Sequence, residues 1–214
     1  MIENNKIGEF NIVLINLDGL RRDKVHLIKS LNELIKKSYF FNNIDTVSPY
    51  TFASIHSIMT GTYPSKHGVN AYYNILKFKK NEITTLAEIL KEKKFYTVCD
   101  VNSEAILSEK GFDEYNIYDE REIDFTKRHC DIIEKISDKH FFLFLQNTET
   151  HNNYVRNIVE NGVENDNYFN SIKENSAKYE LHLADTENYV KNILNTLERL
   201  DLSRKTILVF LSDH

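Results

Sequence analysis

The stretch Asn11–Leu17, NIVLINL, is a nearly continuous apolar run, and Asp18 follows it directly. Such a run is typical of a strand buried on both faces, the kind of strand that parallel sheets contain. The stretch Thr206–Leu211, TILVFL, repeats this pattern near the end of the sequence and leads into Asp213 and His214. Both stretches therefore predict buried strands whose carboxyl ends deliver polar side chains to the edge of a sheet.

Helix-like segments separate the strands. Further strands are predicted at 95–101, FYTVCDV, and at 140–146, HFFLFLQ, while Thr85 and Glu88 have the spacing of a capping box at a helix start. Apolar residues recur at helical spacing after the first strand and before the last; they are Leu27, Ile28, Leu31, Leu34 and Ile35, then Val190, Ile193, Leu194, Leu197 and Leu200. This alternation predicts a three-layer α/β/α sandwich with a mostly parallel central sheet, in which ligands bind at the carboxyl ends of the strands.

Length and composition restrict the class of protein. The chain has 214 residues with a net charge of −5, which predicts a single α/β domain over 1–214 and argues against nucleic-acid binding. No apolar run approaches the roughly 20 residues that span a bilayer, and the first residues lack the pattern of a signal peptide. Cys99 and Cys130 lack the CxxC spacing of a zinc site. We therefore expect a cytoplasmic protein without membrane association or a structural disulfide.

Polar residues at predicted strand ends and loops are the candidate site residues. Asp18 is either a functional carboxylate or a helix N-cap. Thr51, in SPYTFASIHSIMTG (48–61), begins a predicted short helix, where its hydroxyl would be either a cap or a nucleophile activated by a divalent cation. His151 lies a few residues past the strand at 140–146, and its alternative is a structural or merely exposed position.

Asp213 and His214 complete the candidate set. A carboxylate beside an imidazole suits Zn²⁺ or Mn²⁺, and the alternative is an exposed tail. If the sheet is parallel, all five candidates converge at one edge. A metal, a hydroxyl nucleophile and a polar clamp at one edge would suit the transfer of a tetrahedral anionic group.

Six segments, in order, give the chain a clear resemblance to the N-terminal part of a sulfatase-like member of the alkaline phosphatase superfamily. They lie at 11–23, 48–69, 84–98, 110–115, 148–154 and 178–214. The resemblance implies an alkaline-phosphatase-like fold and a divalent metal, which would be Mn, Zn, Mg or Ca. It also implies roles for six residues: Asp18, Asp213 and His214 as metal ligands, Thr51 as the nucleophile, and His151 and His67 as substrate contacts.

Departures from the family pattern bear on the substrate. True sulfatases place at the nucleophile position a Cys that is converted to formylglycine within a C-x-P-S-R segment. This chain has Thr51 there, with Ala53 and Ile55 at the Pro and Arg positions, and a Lys-x-His element has no match at 98–106. We therefore expect a metal-dependent hydrolase or transferase of a small-molecule anionic ester, phosphate rather than sulfate. The alternative is a truncated, non-catalytic domain with a structural or partner-binding role.

The family also continues beyond its Asp-His pair, so the resemblance implies that 1–214 is the N-terminal portion of an incomplete domain. Residues at a chain end fray unless they are tied down, which predicts weak metal binding by Asp213 and His214. An edge strand at Thr206–Leu211 would also favour a homo-oligomer through its open side.

Overall fold

A five-stranded parallel sheet forms the centre of the molecule. The computed structural model describes residues 9–121, 123–160 and 171–214. The strands are β1 (Asn11–Leu17), β2 (Tyr96–Val101), β3 (Glu114–Ile117), β4 (Phe141–Asn147) and β5 (Thr206–Leu211). Their order across the sheet is β3-β2-β4-β1-β5, and every pair is parallel. The predicted mostly parallel α/β fold is thus confirmed.

Helices connect the strands. The helices are α1 (Lys29–Ile35), α2 (Thr51–Thr60), α3 (Pro64–His67), α4 (Leu86–Glu92), α5 (Phe125–Lys135), α6 (Glu149–Glu160), α7 (Ile172–Leu181) and α8 (Leu183–Arg199). Short 3₁₀ turns lie at Arg22–Leu27 and Tyr72–Asn74. The predicted capping box forms at the start of α4, where Thr85 and Glu88 bond to each other's backbone N–H. In the described ranges no helix combines the length and apolar character that crossing a bilayer requires.

Residues of β1 alternate between two cores, one on each face of the sheet. Val13 and Ile15 belong to the core that includes residues of α1, α5, α7 and α8, whereas Leu14 belongs to the core that includes residues of α2 and α4. Because both faces are covered, the inner strands β1 and β4 are almost wholly buried. The molecule is therefore a three-layer sandwich, as predicted.

Two local predictions differ from the structure. β5 is half-buried rather than buried, since it lies at the sheet edge and pairs only with β1 among the described strands. The first predicted helix begins at Lys29, and Leu27 is 45% exposed in the preceding 3₁₀ turn. In both places the apolar sequence pattern predicted more burial than the residues have at their positions in the fold.

Candidate metal and nucleophile site

The carboxyl ends of β1 and β5 meet the first residue of α2 at one edge of the sheet. Asp18 follows β1, and its N–H donates to the carbonyl of Asn147 at 2.9 Å, so the ladder between β1 and β4 extends past the strand end. Asp213 and His214 follow β5, the neighbour of β1 on its other side. Since the three strands are parallel and in register, their terminal residues lie side by side.

Four of the predicted site residues come together at this edge. Ligand atoms of Asp18, Asp213 and His214 all lie within 4.8 Å of one another. The Thr51 Oγ1 atom is 3.4 Å from Oδ2 of Asp18 and 3.5 Å from Nε2 of His214. The His214 Nε2 atom is 3.6 Å from Oδ1 of Asp18 and 3.9 Å from Oδ2 of Asp213. A hydroxyl therefore lies beside a compact group of one imidazole and two carboxylates.

Side chains of α2 and the preceding loop hold Asp213 in place. The Ser54 hydroxyl donates to the Asp213 carbonyl at 2.6 Å, and the Thr46 hydroxyl donates to the same oxygen at 2.7 Å. Asp213 is 1% exposed. These bonds tie the segment after β5 to α2, the helix that carries Thr51, while weak metal binding by Asp213 and His214 stays a prediction.

The carboxylates of Asp18 and Asp213 are buried, and their hydrogen bonding is incomplete. Among the described residues, neither side-chain oxygen of Asp213 nor Oδ1 of Asp18 has a hydrogen-bond partner. Burial, followed by the nearby Asp213 charge, raises the pKa of Asp18 to about 6, against the opposing influence of His151 and His214. Two buried negative groups this close are costly unless a cation or a proton accompanies them.

This donor set fits a divalent metal ion. Two carboxylates and one imidazole are ligands that Zn²⁺ and Mn²⁺ accept readily, and Mg²⁺ or Ca²⁺ would use mainly the oxygens. The unpartnered carboxylate oxygens are the atoms that such an ion would satisfy. Asp18, Asp213 and His214 are thus the residues that could hold the metal.

His151 lies beside this cluster, in the first turns of α6. Its ring centroid is 6.3 Å from that of His214, in an edge-to-face arrangement. Gly19 lies against His151, where an added Cβ would be in ordinary van der Waals contact with the His151 Cβ at 3.4 Å, and its φ of +71° is what favours glycine there. The chain bends sharply after Asp18, and His151 packs against the bend.

His67 has a different environment. It is fully buried, and its Nδ1 accepts from the Val69 N–H at 3.2 Å while its Nε2 bonds to the Ser57 hydroxyl at 2.9 Å. Ser57 lies about 9 Å along α2 from Thr51, at about 1.5 Å per residue. The structure thus places His67 in the contact between α2 and α3, and its role as a substrate contact stays a prediction.

A model of the sulfatase family matches residues 11–214. The chain belongs to the sulfatase family. This match confirms the sulfatase-like resemblance found in the sequence. A solved structure described as a protein in the alkaline phosphatase superfamily from Vibrio parahaemolyticus has the same fold.

The name of one curated relative refers to glycan biosynthesis. The low-salt glycan biosynthesis sulfotransferase Agl7 of Haloferax volcanii is 26% identical over 217 residues, which cover 97% of this chain and 47% of the relative. This sulfatase-family chain therefore spans about half the length of that protein.

Solved structures show the same fold at low sequence identity. BT1596, a 2-O GAG sulfatase, aligns with a TM-score of 0.76 at 17% identity, covering 96% of this chain and 58% of BT1596. Murine ectonucleotide pyrophosphatase/phosphodiesterase 5, as an inactive threonine-to-alanine variant in complex with AMP, aligns with a TM-score of 0.67 at 17% identity, covering 96% of this chain and 57% of the other. Sulfatases and phosphodiesterases thus share this architecture.

Sequence reasoning missed two polar residues around the site of this sulfatase-family chain. Gln146, inside the apolar strand β4, is fully buried and donates to Oδ2 of Asp18 at 3.4 Å. Asn152 bonds through Oδ1 to Nδ1 of His151 at 3.3 Å. The pair of amides, Gln146 and Asn147, that ends an otherwise apolar strand was the available signal for Gln146. No sequence signal indicated Asn152, apart from its position next to His151.

Proposed function

We propose that this chain carries the nucleophile and part of the metal site of a divalent-metal-dependent phosphoesterase or phosphotransferase that acts on a small anionic ester. The observation that carries the proposal is the position of the Thr51 hydroxyl, 3.4 Å from Asp18 and 3.5 Å from His214. A threonine hydroxyl alone is a poor nucleophile, and it becomes effective beside a base or a metal ion.

Thr51 has two features that suit the role of nucleophile. It is the first residue of α2, where free backbone N–H groups and the helix dipole favour a bound anion. Its Oγ1 also donates to Oδ2 of Asp18. When bound by Asp18, Asp213 and His214, a divalent ion would supply positive charge that favours the ionised hydroxyl and the anionic substrate.

The proposed transfer has two balanced steps. Oγ1 of Thr51 gives up its proton and forms a bond to phosphorus, while the bond from phosphorus to the ester oxygen breaks and the departing alcohol takes a proton. Water or a second alcohol then attacks phosphorus, releases Thr51 and restores its hydroxyl proton. His151, beside His214, would contact the anionic oxygens during both steps.

Threonine at position 51 supports phosphate rather than sulfate as the transferred group. The formylglycine route starts from the cysteine that true sulfatases place at the nucleophile position, and this chain has Thr51 there. The murine phosphodiesterase, whose threonine-to-alanine variant is described as inactive, is consistent with threonine chemistry on this fold. The name of the Haloferax relative, a sulfotransferase, favours sulfuryl transfer as the second candidate.

A substrate panel tests the proposal. The chain, and any longer protein that contains it, would be titrated with Mn²⁺ and Zn²⁺ and assayed with an aryl phosphate, an aryl phosphodiester and an aryl sulfate. We expect metal-dependent release of the aryl alcohol from a phosphate ester and its loss in Thr51→Ala. Thr60→Ala, at the other end of α2, is the matched control.

Each outcome of the panel has a distinct meaning. Turnover of the aryl sulfate alone would favour the sulfuryl candidate over the phosphoryl one. Equal turnover by Thr51→Ala and the unaltered protein would refute the nucleophile assignment. Absence of turnover in the longer protein as well, with every ester and both metals, would favour a non-catalytic domain with a structural or partner-binding role.

A further inference from the structure

A chain of hydrogen bonds leads from His151 away from the metal cluster to an exposed carboxylate. Nδ1 of His151 is 3.3 Å from Oδ1 of Asn152, and Nδ2 of Asn152 is 3.1 Å from Oε2 of Glu120. The same carboxylate oxygen accepts from Nδ2 of Asn102 at 2.7 Å. These bonds connect the start of α6 to the segments that follow β2 and β3.

Glu120 determines which way the Asn152 amide faces. A carboxylate accepts hydrogen bonds and cannot donate when ionised, so the NH₂ group of Asn152 must point toward it. The Asn152 NH₂ group also lies 2.9 Å from Oγ1 of Thr148, which can accept. The reverse orientation would place two acceptor oxygens against each other at Glu120. The carbonyl oxygen of Asn152 therefore faces His151.

The orientation of the Asn152 amide determines the protonated nitrogen of His151. An amide oxygen only accepts, so the hydrogen bond to Nδ1 of His151 requires a proton on Nδ1. Within the described part of the chain, Nε2 of His151 has no hydrogen-bond partner. The ring thus has its Nδ1–H held by Asn152 and its Nε2 left for a ligand.

We propose that Asn152 and Glu120 are positioning residues that hold His151 in the Nδ1–H tautomer and in a fixed ring orientation. The inference deepens the proposed function, on which its catalytic consequence rests: Nε2 is the nitrogen that meets the anionic ester at the cluster of Asp18, Asp213 and His214. In functional histidines, a hydrogen bond to the ring nitrogen that does not meet the ligand commonly determines the tautomer in this way.

Nuclear magnetic resonance tests the tautomer without substrate or metal. The chain would be labelled with ¹⁵N-histidine, and long-range ¹H–¹⁵N correlations would be recorded in mildly alkaline buffer, with His151 assigned from its absence in His151→Gln. We expect the Nδ1–H pattern in the unaltered chain. Asn152→Leu, which removes the acceptor, should shift His151 toward the Nε2–H form.

Glu120→Gln tests the role of the carboxylate separately. Glu120 is exposed, so the substitution leaves the core unchanged, yet a glutamine amide can present either its oxygen or its NH₂ group to Asn152. We expect a mixture of the two His151 tautomers. Glu198→Gln removes the same charge from an exposed position near the end of α8 and should leave the His151 signals unchanged.

The outcomes separate this inference from the proposed function. An Nε2–H pattern in the unaltered chain, or unchanged tautomers in both Asn152→Leu and Glu120→Gln, would overturn the positioning role. If the tautomers behave as expected, an active longer protein should lose about 10-fold in kcat/KM in Asn152→Leu, the order seen for partners behind functional ligands. Failure of the Thr51→Ala test would instead refute the proposed function and leave the tautomer result intact.

Discussion

The Thr51 hydroxyl oxygen lies 3.4 Å from Oδ2 of Asp18, although the two residues are 33 positions apart in the chain. The contact joins the carboxyl end of β1 to the first residue of α2. Both residues are anchored independently, Asp18 by the ladder to Asn147 and the helix of Thr51 by the bond from Ser54 to Asp213. The hydroxyl and the carboxylate are therefore held in position by the fold before any ligand binds.

Two substitutions of Thr51 distinguish the contribution of its hydroxyl to activity from the contribution of its side-chain shape. Thr51→Ser keeps a hydroxyl, and we expect an active full-length protein to retain turnover within about 10-fold. Thr51→Val keeps the branched shape without the hydroxyl, and we expect a loss of roughly a thousandfold or more. Steady-state kinetics on the preferred ester, with thermal unfolding of both variants as a folding control, provide the comparison. Similar rates for Val and Ser would contradict the nucleophile assignment.

Asp213→Asn should change stability and metal affinity in opposite directions. Among the residues that the structure describes, neither side-chain oxygen of the buried Asp213 has a hydrogen-bond partner, and a second carboxylate, Asp18, lies close by. Neutralising Asp213 should raise the unfolding free energy of the metal-free chain by about 1 kcal/mol. It should also weaken Mn²⁺ binding, because a charged ligand is lost. Thermal unfolding in chelator and isothermal titration measure the two effects, and a less stable metal-free variant would argue against the electrostatic account.

Gly19→Ala tests the bend that brings His151 to the site. Gly19 and Gly61 both have positive φ, +71° and +62°, so alanine at either position should cost about 1 kcal/mol in unfolding free energy. An added Cβ at Gly19 would lie 3.4 Å from the His151 Cβ, whereas at Gly61 no heavy atom lies within 4 Å. We therefore expect the His151 resonances to shift in Gly19→Ala and to stay in place in the Gly61→Ala control. Equal shifts in both variants would show that backbone strain alone accounts for the effect.

Glu149 should make the chain less stable as pH rises. Burial, and then the charges of Asp185 and Asp124, raise its pKa from 4.5 to about 7. A carboxyl with a raised pKa in the folded state stabilises the fold below pH 4.5, and that contribution is lost as pH rises to about 7. Glu149→Gln should therefore be more stable above neutral pH, by roughly 1–2 kcal/mol once partial exposure is allowed for.

Denaturant unfolding across this pH range measures the effect, with the exposed Glu198→Gln as control. The Glu149→Gln curve should be flatter than that of the unaltered chain between acid and neutral pH. A parallel pair of curves would mean that Glu149 ionises normally in the folded protein.

Parts of the fold could not be predicted from the apolar pattern. β3 has four residues, none of them buried, so Glu114–Ile117 lacks the continuous apolar run that marks β1 and β4. Helix α5 buries only Phe125, His129 and Ile133 of its eleven residues. The edge strand β3 buries little area, so its sequence carries no continuous apolar run. The buried residues of α5 do recur at helical spacing, but one of them is the polar His129.

A buried ionic cluster was equally invisible in the sequence. Asp100, read only as part of a strand, is fully buried and accepts from the Arg128 guanidinium at 2.7 Å. Nε2 of His129 lies 3.1 Å from the same carboxylate, and Nδ1 of His129 bonds to the Tyr189 hydroxyl at 2.7 Å. The four residues of this cluster come from three elements, β2, α5 and α8, and no local sequence pattern relates these elements.

The sequence by itself determined four of the five strands, their parallel arrangement and therefore the edge at which Asp18, Asp213 and His214 emerge. That much follows because a doubly buried strand must be apolar, and because helical connections between strands make them run in one direction. Only the tertiary structure decided that Asp213 is tied to α2, that His67 lies in a helix contact, and that Asn152 and Glu120 stand behind His151. Those relations are contacts between segments far apart in the chain. Such contacts form only when packing on both faces of the sheet holds all the elements in place together.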